Sequence, residues 1–294
     1  MPLRYARIMA AVASALWAID ETYANEMMSF LEFKANGGSL TAEEIALRID
    51  GQNGDAPRSR RDGAVAVLRL NGVISPRAEG FSDISGGTSA EGFRRRFAQA
   101  VDDTNVSSIV IDINSPGGNV QGIAETFTDI IAARGKKPII AVANHNALSA
   151  AFWIASAADE LVVTPSADVG SIGVLTMHED LSEKLANEGI KRTVISAGRF
   201  KAEESQTAEL SSEGSEFLQS RVDGVFNRFT KDVAKGRGVS VKTVRNGFGE
   251  GRVVRAENAV ELGMADRIGT LEGEIQRLTK RQTTQTRRRR LALR

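Results

Sequence analysis

Ser149 and Lys201 are the residues of this chain whose types and surroundings best support chemistry. Ser149 lies in Asn144-His145-Asn146-Ala147-Leu148-Ser149-Ala150-Ala151-Phe152-Trp153-Ile154-Ala155, where an apolar strand (Ile139 to Ala143) breaks into a short polar turn and re-enters a small-residue helix. A hydroxyl at such a helix start becomes a nucleophile when a base takes its proton. Lys201, which closes Ala197-Gly198-Arg199-Phe200-Lys201, is the candidate base. Upstream, Asn114-Ser115-Pro116-Gly117-Gly118 follows a strand and opens another helix. Its glycines can present backbone N–H groups to a developing oxyanion. The combination suggests acyl transfer. Each part alone has a plainer reading: an N-cap serine, a solvated lysine, an ordinary turn.

The base role makes a demand on Lys201. An amine with an ordinary pKa of about 10.4 is almost wholly protonated at neutral pH. Burial, helped by the cation of Arg199, is expected to favour the neutral amine, and Glu203 and Glu204 are expected to face solvent so as not to oppose it. His145, four residues before Ser149, is the rival base, but no acid is evidently placed to orient it. The other histidine, His178, reads as a loop or helix-start residue.

Alternating short strands and helices must position these groups. Ala64 to Leu70 reads as a strand, followed by a turn through Asn71-Gly72 into Val73-Ile74 and a Gly/Ser-rich loop from Ser75 to Gly87. Thr88 and Glu91 form a capping-box pattern before a helix marked by Phe93, Phe97 and Val101. Strands are expected at Ser108–Ile113, Pro138–Ala143, Glu160–Thr164 and Thr193–Ser196. A helix runs from Val120 to Ile131, and a long amphipathic helix from about Ser212 to Lys235 is stopped by Gly236 and Gly238. This alternation predicts α/β architecture with mainly parallel strands.

Around that body, residues 1–50 read as a helical N-terminal arm, 51–63 as a polar linker, 64–270 as the catalytic domain, and 271–294 as a short helix with a basic, disordered tail. Arg4 and Arg7 precede the apolar run Ile8 to Ile19, which keeps a secretory signal as the alternative for the N-terminus. Ser39 to Ile49 reads as a capped helix. The tail carries Lys280, Arg281, Arg287, Arg288, Arg289, Arg290 and Arg294 without an acid, in a chain whose net charge is only +1. It is expected to contact an acidic partner or DNA, and to be a candidate for self-cleavage. The chain has no cysteine and two histidines, which excludes thiol nucleophiles and thiolate metal sites. No metal or nucleotide cofactor is expected.

From about Val65 to Gly269 the sequence resembles the signal peptide peptidase A (protease IV-type) serine peptidases, and among them the phage head-maturation or procapsid branch. The resemblance rests on Asn114 to Gly118, the Ser149 turn with Trp153-Ile154-Ala155, Gly170-Ser171-Ile172-Gly173-Val174, Lys201, Lys235 to Gly238, and Ala259 to Asp266. It departs at Ala150-Ala151, where many cellular members have Gly-Gly.

The resemblance implies a Clp/crotonase-type spiral of ββα units, commonly assembled into rings, hence a homo-oligomer with sites near subunit boundaries. It implies Ser149 as nucleophile, Lys201 as base, Ser171 as the residue that positions the lysine, and the N–H groups of Gly118 and Ala150 as the oxyanion hole. The implied role is processing of scaffold, capsid or portal proteins in the host cytoplasm or procapsid interior. Degradation of leftover signal peptides, in the periplasm or at a membrane, is the alternative. A crotonase-like acyl-CoA enzyme and a noncatalytic capsid-interaction protein are the other classes. The first would bind acyl-CoA without needing the dyad, and the second would leave processing unchanged when Ser149 is replaced.

Overall fold

The computed structural model describes residues 15–35, 38, 59–77 and 87–292. The expected helix at Ser39–Ile49, most of the linker and much of the 75–87 loop lie outside them.

The body is built from strand β3 (Val65–Asn71), β6 (Ser108–Ser115) and β8 (Ile139–Leu148), all parallel and hydrogen-bonded in the spatial order β3-β6-β8. Beyond β8, its first half pairs with β9 (Glu160–Val163) and its second half with β10 (Asp168–Gly170), both parallel. Strands β2 (Ser59–Asp62) and β11 (Val253–Arg255) close the edges antiparallel, and β12 (Arg267–Ile268) joins β9. Part of the expected linker is therefore an edge strand.

A second, smaller sheet has the order β1 (Trp17–Ile19), β7 (Gly117–Asn119), β4 (Ile74–Ser75) and β5 (Thr88–Ser89). The chain thus repeats a strand in the large sheet, a strand in the small one, then a helix: β3-β4 before α2 (Ala90–Asp102), and β6-β7 before α3 (Ile123–Ala133). This is the mixed α/β architecture that the alternation predicts.

Side-chain alternation divides the large sheet's two faces. Ile109, Ile111, Ile113, Ala141 and Ala143 pack with Phe93, Phe97, Phe127 and Trp153, while Val65, Val67, Val110, Ile140 and Val142 pack with Leu271, Ile275 and Leu278. Both faces are covered, as a parallel sheet requires, which explains the continuous apolar runs. The second face is covered by α9 (Leu271–Ala292), numbered after α1 (Glu21–Ala35), α4 (Ala150–Ala155), α5 (Ser182–Asn187), α6 (Ser212–Arg237), α7 (Val241–Gly247) and α8 (Ala256–Glu261).

Several local expectations change. The N-terminal arm is not helical throughout, because Trp17–Ile19 is a buried strand of the small sheet. The cap of α2 is Ser89, whose hydroxyl accepts from Gly92 N–H at 3.1 Å, while Thr88 bonds both backbone groups of Asn71. Thr193–Ser196 forms no strand: residues 191–201 are exposed and irregular. The tail expected to be disordered is helical in backbone to Ala292, since Gln, Arg and Leu propagate a helix once packing at Leu271–Leu278 has nucleated it. At the other helix end noted in the sequence, Gly238 alone is the stop. It is left-handed with φ 66°, whereas Gly236 lies within α6. No described helix is long and apolar enough to cross a membrane.

Two carboxylates tie α9 and β12 to the body. Asp266 accepts from Leu161 N–H at 2.6 Å and from Arg237 in a two-pronged ion pair with both bonds at 2.8 Å. Buried Glu274 accepts from Arg267 and Arg277. Burial, the largest single influence, would raise both carboxyls, but the arginine hydrogen bonds and charges, joined at Asp266 by the Leu161 N–H, together outweigh it and hold both below the usual carboxylate range. A carboxyl lowered by folding stabilises the fold above its unfolded pKa of about 4, and that stability is lost as pH falls through the folded value. The thermal unfolding temperature should therefore fall steeply below about pH 4. An Asp266→Asn variant should show a shallower acid slope, and an unchanged slope would remove Asp266 from this account.

Candidate active site

Strand β8 delivers Ser149 to the head of α4. The residue has φ 52° and ψ −115°, a conformation that side-chain-bearing residues rarely adopt. Holding it costs on the order of 1–3 kcal/mol, offset by the surrounding packing. Ser149 N–H donates to the Gly170 carbonyl at 2.7 Å, and its own carbonyl accepts from Trp153 N–H at 2.9 Å. The hydroxyl donates to the Gly173 carbonyl at 3.3 Å, and the residue is 1% exposed. Ala150, as the first helical residue, has no intrahelical acceptor for its N–H, the property an oxyanion donor needs.

Helix α4 is held from behind. Trp153 stacks on Phe229 with ring centroids 4.6 Å apart, and its indole N–H donates to Asp232 at 3.1 Å. Arg134 donates to the carbonyls of Ser156, Ala157 and Ala158 just after α4, and to Gly236 on α6. Burial lowers the pKa of this guanidinium without approaching neutrality. Gly236 permits the approach, because a Cβ there would sit 2.2 Å from the Ser156 carbonyl oxygen. These contacts turn a six-residue helix into a rigid mount.

The glycine turn forms the facing wall. Ser115 Oγ donates to the Gly72 carbonyl at 2.6 Å and accepts from Gly117 N–H at 3.2 Å. Gly117 has φ 101°, and a Cβ on it would lie 3.0 Å from Ser149 Cβ. A Cβ on Gly118 would meet the Ile74 carbonyl oxygen at 2.1 Å. The structure therefore brings Ser149 against the Asn114–Gly118 turn, with glycine required sterically at both positions. Ser171 lies just beyond Gly170, buried, with φ 50° and its N–H bonded to the Arg252 carbonyl.

Lys201 is not in the same cluster. Its side chain is exposed, and among the described residues it makes no hydrogen bond or ion pair, whereas the Ser149 hydroxyl is bonded to Gly173. Arg199 is engaged with Glu213 at 3.0 Å. Glu204, expected in solvent, is half-buried and pairs with Arg221 at 3.1 Å. His145 is exposed on β8, and His178 Nε2 lies 3.3 Å from the Ser205 carbonyl. The sequence reading missed residues 16–20, which lie beside Gly117–Asn119. The aromatic and β-branched character of Trp17 and Ile19 was the available signal.

The site is thus a buried serine on a strained strand-to-helix turn, facing a glycine wall in a parallel α/β body. The chain belongs to peptidase family S49, whose family description matches residues 132–285. It is 33% identical over 247 residues to the capsid assembly protease C of Escherichia phage lambda, covering 82% of this chain and 56% of that protein. It is also 33% identical over 204 residues to the head-tail preconnector protein GP5 of Enterobacteria phage P21, covering 69% and 40%. A putative signal peptide peptidase SppA of Enterococcus faecium is 27% identical over 254 residues, covering 84% and 73%. The chain thus spans about half the length of the two phage relatives.

Proposed function

We propose that the chain is a serine endopeptidase that processes capsid-assembly proteins through an acyl-enzyme on Ser149. The observation that carries this is the strained, rigidly mounted Ser149 beside Gly117-Gly118. Lys201 takes the Ser149 proton as Oγ attacks the substrate carbonyl, and the N–H groups of Gly118 and Ala150 receive the oxyanion. The proton then passes to the leaving amine. Water deacylates the serine by the reverse sequence, with the same lysine as base. Ser171, one residue from Gly170, positions the lysine.

Since Lys201 is exposed in the single chain, the proposal requires residues 190–201 to be covered in the working enzyme. Val194, Ile195 and Phe200 on this segment, with Phe217 at the start of α6, are exposed to 53%, 94%, 52% and 49%. A second copy packed over them would bury this apolar surface and desolvate the amine. The dyad then operates in a homo-oligomer, and specific activity should fall on dilution through the dissociation range, as read by light scattering on the same samples. An active monomer at every concentration would remove this requirement.

The proposed setting is the host cytoplasm and procapsid interior, with scaffold, capsid or portal proteins as substrates; the lambda relative's name, a capsid assembly protease, supports a capsid-assembly role. The basic end of α9 is proposed to recruit an acidic partner or DNA and to be itself open to cleavage. The likeness to the Enterococcus protein supports signal-peptide degradation as the second reading. Wild type and Ser149→Ala should be mixed separately with the cognate scaffold protein and with a synthetic signal peptide, and the products mapped by mass spectrometry. Ser149-dependent clipping of the scaffold is expected. Clipping of the signal peptide alone would transfer the role to the second reading.

A further inference from the structure

Residues 15–20 lie along the glycine turn, beside the buried Ser149. Strand β1 runs antiparallel to β7 with Trp17 opposite Asn119, Ala18 opposite Gly118 and Ile19 opposite Gly117. Val120 N–H donates to the Leu16 carbonyl at 3.2 Å, and Asp20 N–H donates to the Pro116 carbonyl at 2.9 Å. On the other edge, Trp17 exchanges both backbone hydrogen bonds with Leu175, each 2.9 Å. Thr176 Oγ1 donates to the Ala15 carbonyl at 3.2 Å. The segment is therefore an extended peptide held between two backbone walls, the geometry of strand addition.

Its register points at the reaction centre. Hydrogen-bonded pairs alternate along an antiparallel ladder, so the bonds at Leu16/Val120 and Asp20/Pro116 make Ala18/Gly118 a hydrogen-bonded pair. The Ala18 carbonyl thus faces the Gly118 N–H, the donor assigned above to the oxyanion. The place a Cβ on Gly117 would occupy is 2.3 Å from the Ala18 carbonyl oxygen, 3.1 Å from Ile19 Cα and 3.0 Å from Ser149 Cβ. The Ala18–Ile19 peptide and the nucleophile therefore meet around one point. Ala18 is fully buried, and Trp17 and Ile19 are anchored with Ala24 and Met27 of α1 against Val73 and Leu175.

We infer that residues 15–20 are an intramolecular pseudosubstrate strand, which fills the peptide groove in cis and must leave before another chain can reach Ser149. The inference rests on the reading of Ser149 as nucleophile. In this arrangement the apparent reactivity of Ser149 is its intrinsic reactivity multiplied by the fraction of molecules with the strand displaced. Weakening the strand's anchor raises that fraction without touching the glycine wall or α4.

The test is the rate at which a small alkyl fluorophosphonate labels Ser149 in full-length protein, located by peptide mapping. Trp17→Ala removes the largest anchor of the strand and should speed labelling at least tenfold, or about 1.4 kcal/mol in the opening equilibrium. Ala18→Pro removes an N–H from the ladder and should act in the same direction. Melting curves establish that each variant is folded. Should one variant fail to fold, the other carries the comparison. Should both fail, amide hydrogen exchange on wild type replaces it: Trp17 and Asp20 opening faster than Trp153 supports a separable strand, while opening together overturns it. Equal labelling of folded variants and wild type at Ser149 also overturns the strand's role and leaves the nucleophile standing. Labelling absent from Ser149 in every protein rejects the nucleophile itself.

Discussion

Ser149→Ala is expected to lower peptide-bond hydrolysis by at least about 10⁴-fold while leaving the protein folded. The loss is large because nucleophile and base act as a unit, so removing the hydroxyl leaves only groove binding and backbone polarisation. The structural cost is small, because the hydroxyl makes one 3.3 Å bond to the Gly173 carbonyl. Such a bond contributes on the order of 1 kcal/mol. Ser149→Gly sharpens the expectation. At φ 52° and ψ −115°, glycine escapes the strain that serine bears, so this variant should be equally inactive yet melt at or above the wild-type temperature. Undiminished hydrolysis by either variant would exclude the acyl-enzyme on Ser149.

Lys201→Ala is expected to cost about 10²–10⁴-fold, the range for removing a general base. Lys201→Arg should fare no better, because a guanidinium remains protonated and cannot accept the serine proton. His145→Ala should leave wild-type activity in place. His145 is exposed on β8, and its side chain makes no hydrogen bond among the described residues. A Lys201→Ala enzyme that matched wild type across the pH range would transfer the base role elsewhere. Loss in His145→Ala with retention in Lys201→Ala would identify the histidine.

Much of the body was legible in the sequence because its signals are local. The expected strand Ser108–Ile113 falls within β6, and Pro138–Ala143 matches the start of β8 from Ile139 on, since strands buried on both faces read as near-continuous apolar runs. The Phe93–Phe97–Val101 spacing marks α2, and the left-handed glycine at 238 ends α6. The glycine turn and Ser149 were found by residue type and order, and the structure places them against each other.

Other features depended on partners distant in sequence. Leu16 to Ile19 is apolar enough for a helix, a signal or a strand, and only the free edges at Gly117–Asn119 and Leu175 make it a strand. Thr193–Ser196 has strand-forming residues but pairs with no strand among the described residues, and it is exposed and irregular. Thr88 lost the helix cap to Ser89 because both backbone groups of Asn71 claim its hydroxyl. The sequence by itself determined the α/β alternation and singled out Ser149 as the candidate nucleophile, through periodicity and side-chain chemistry. The tertiary structure alone decided that this serine is strained, buried and set beside residues 16–20. Backbone hydrogen bonds between distant segments carry no residue code, and a forced φ arises only when packing on both sides leaves no alternative.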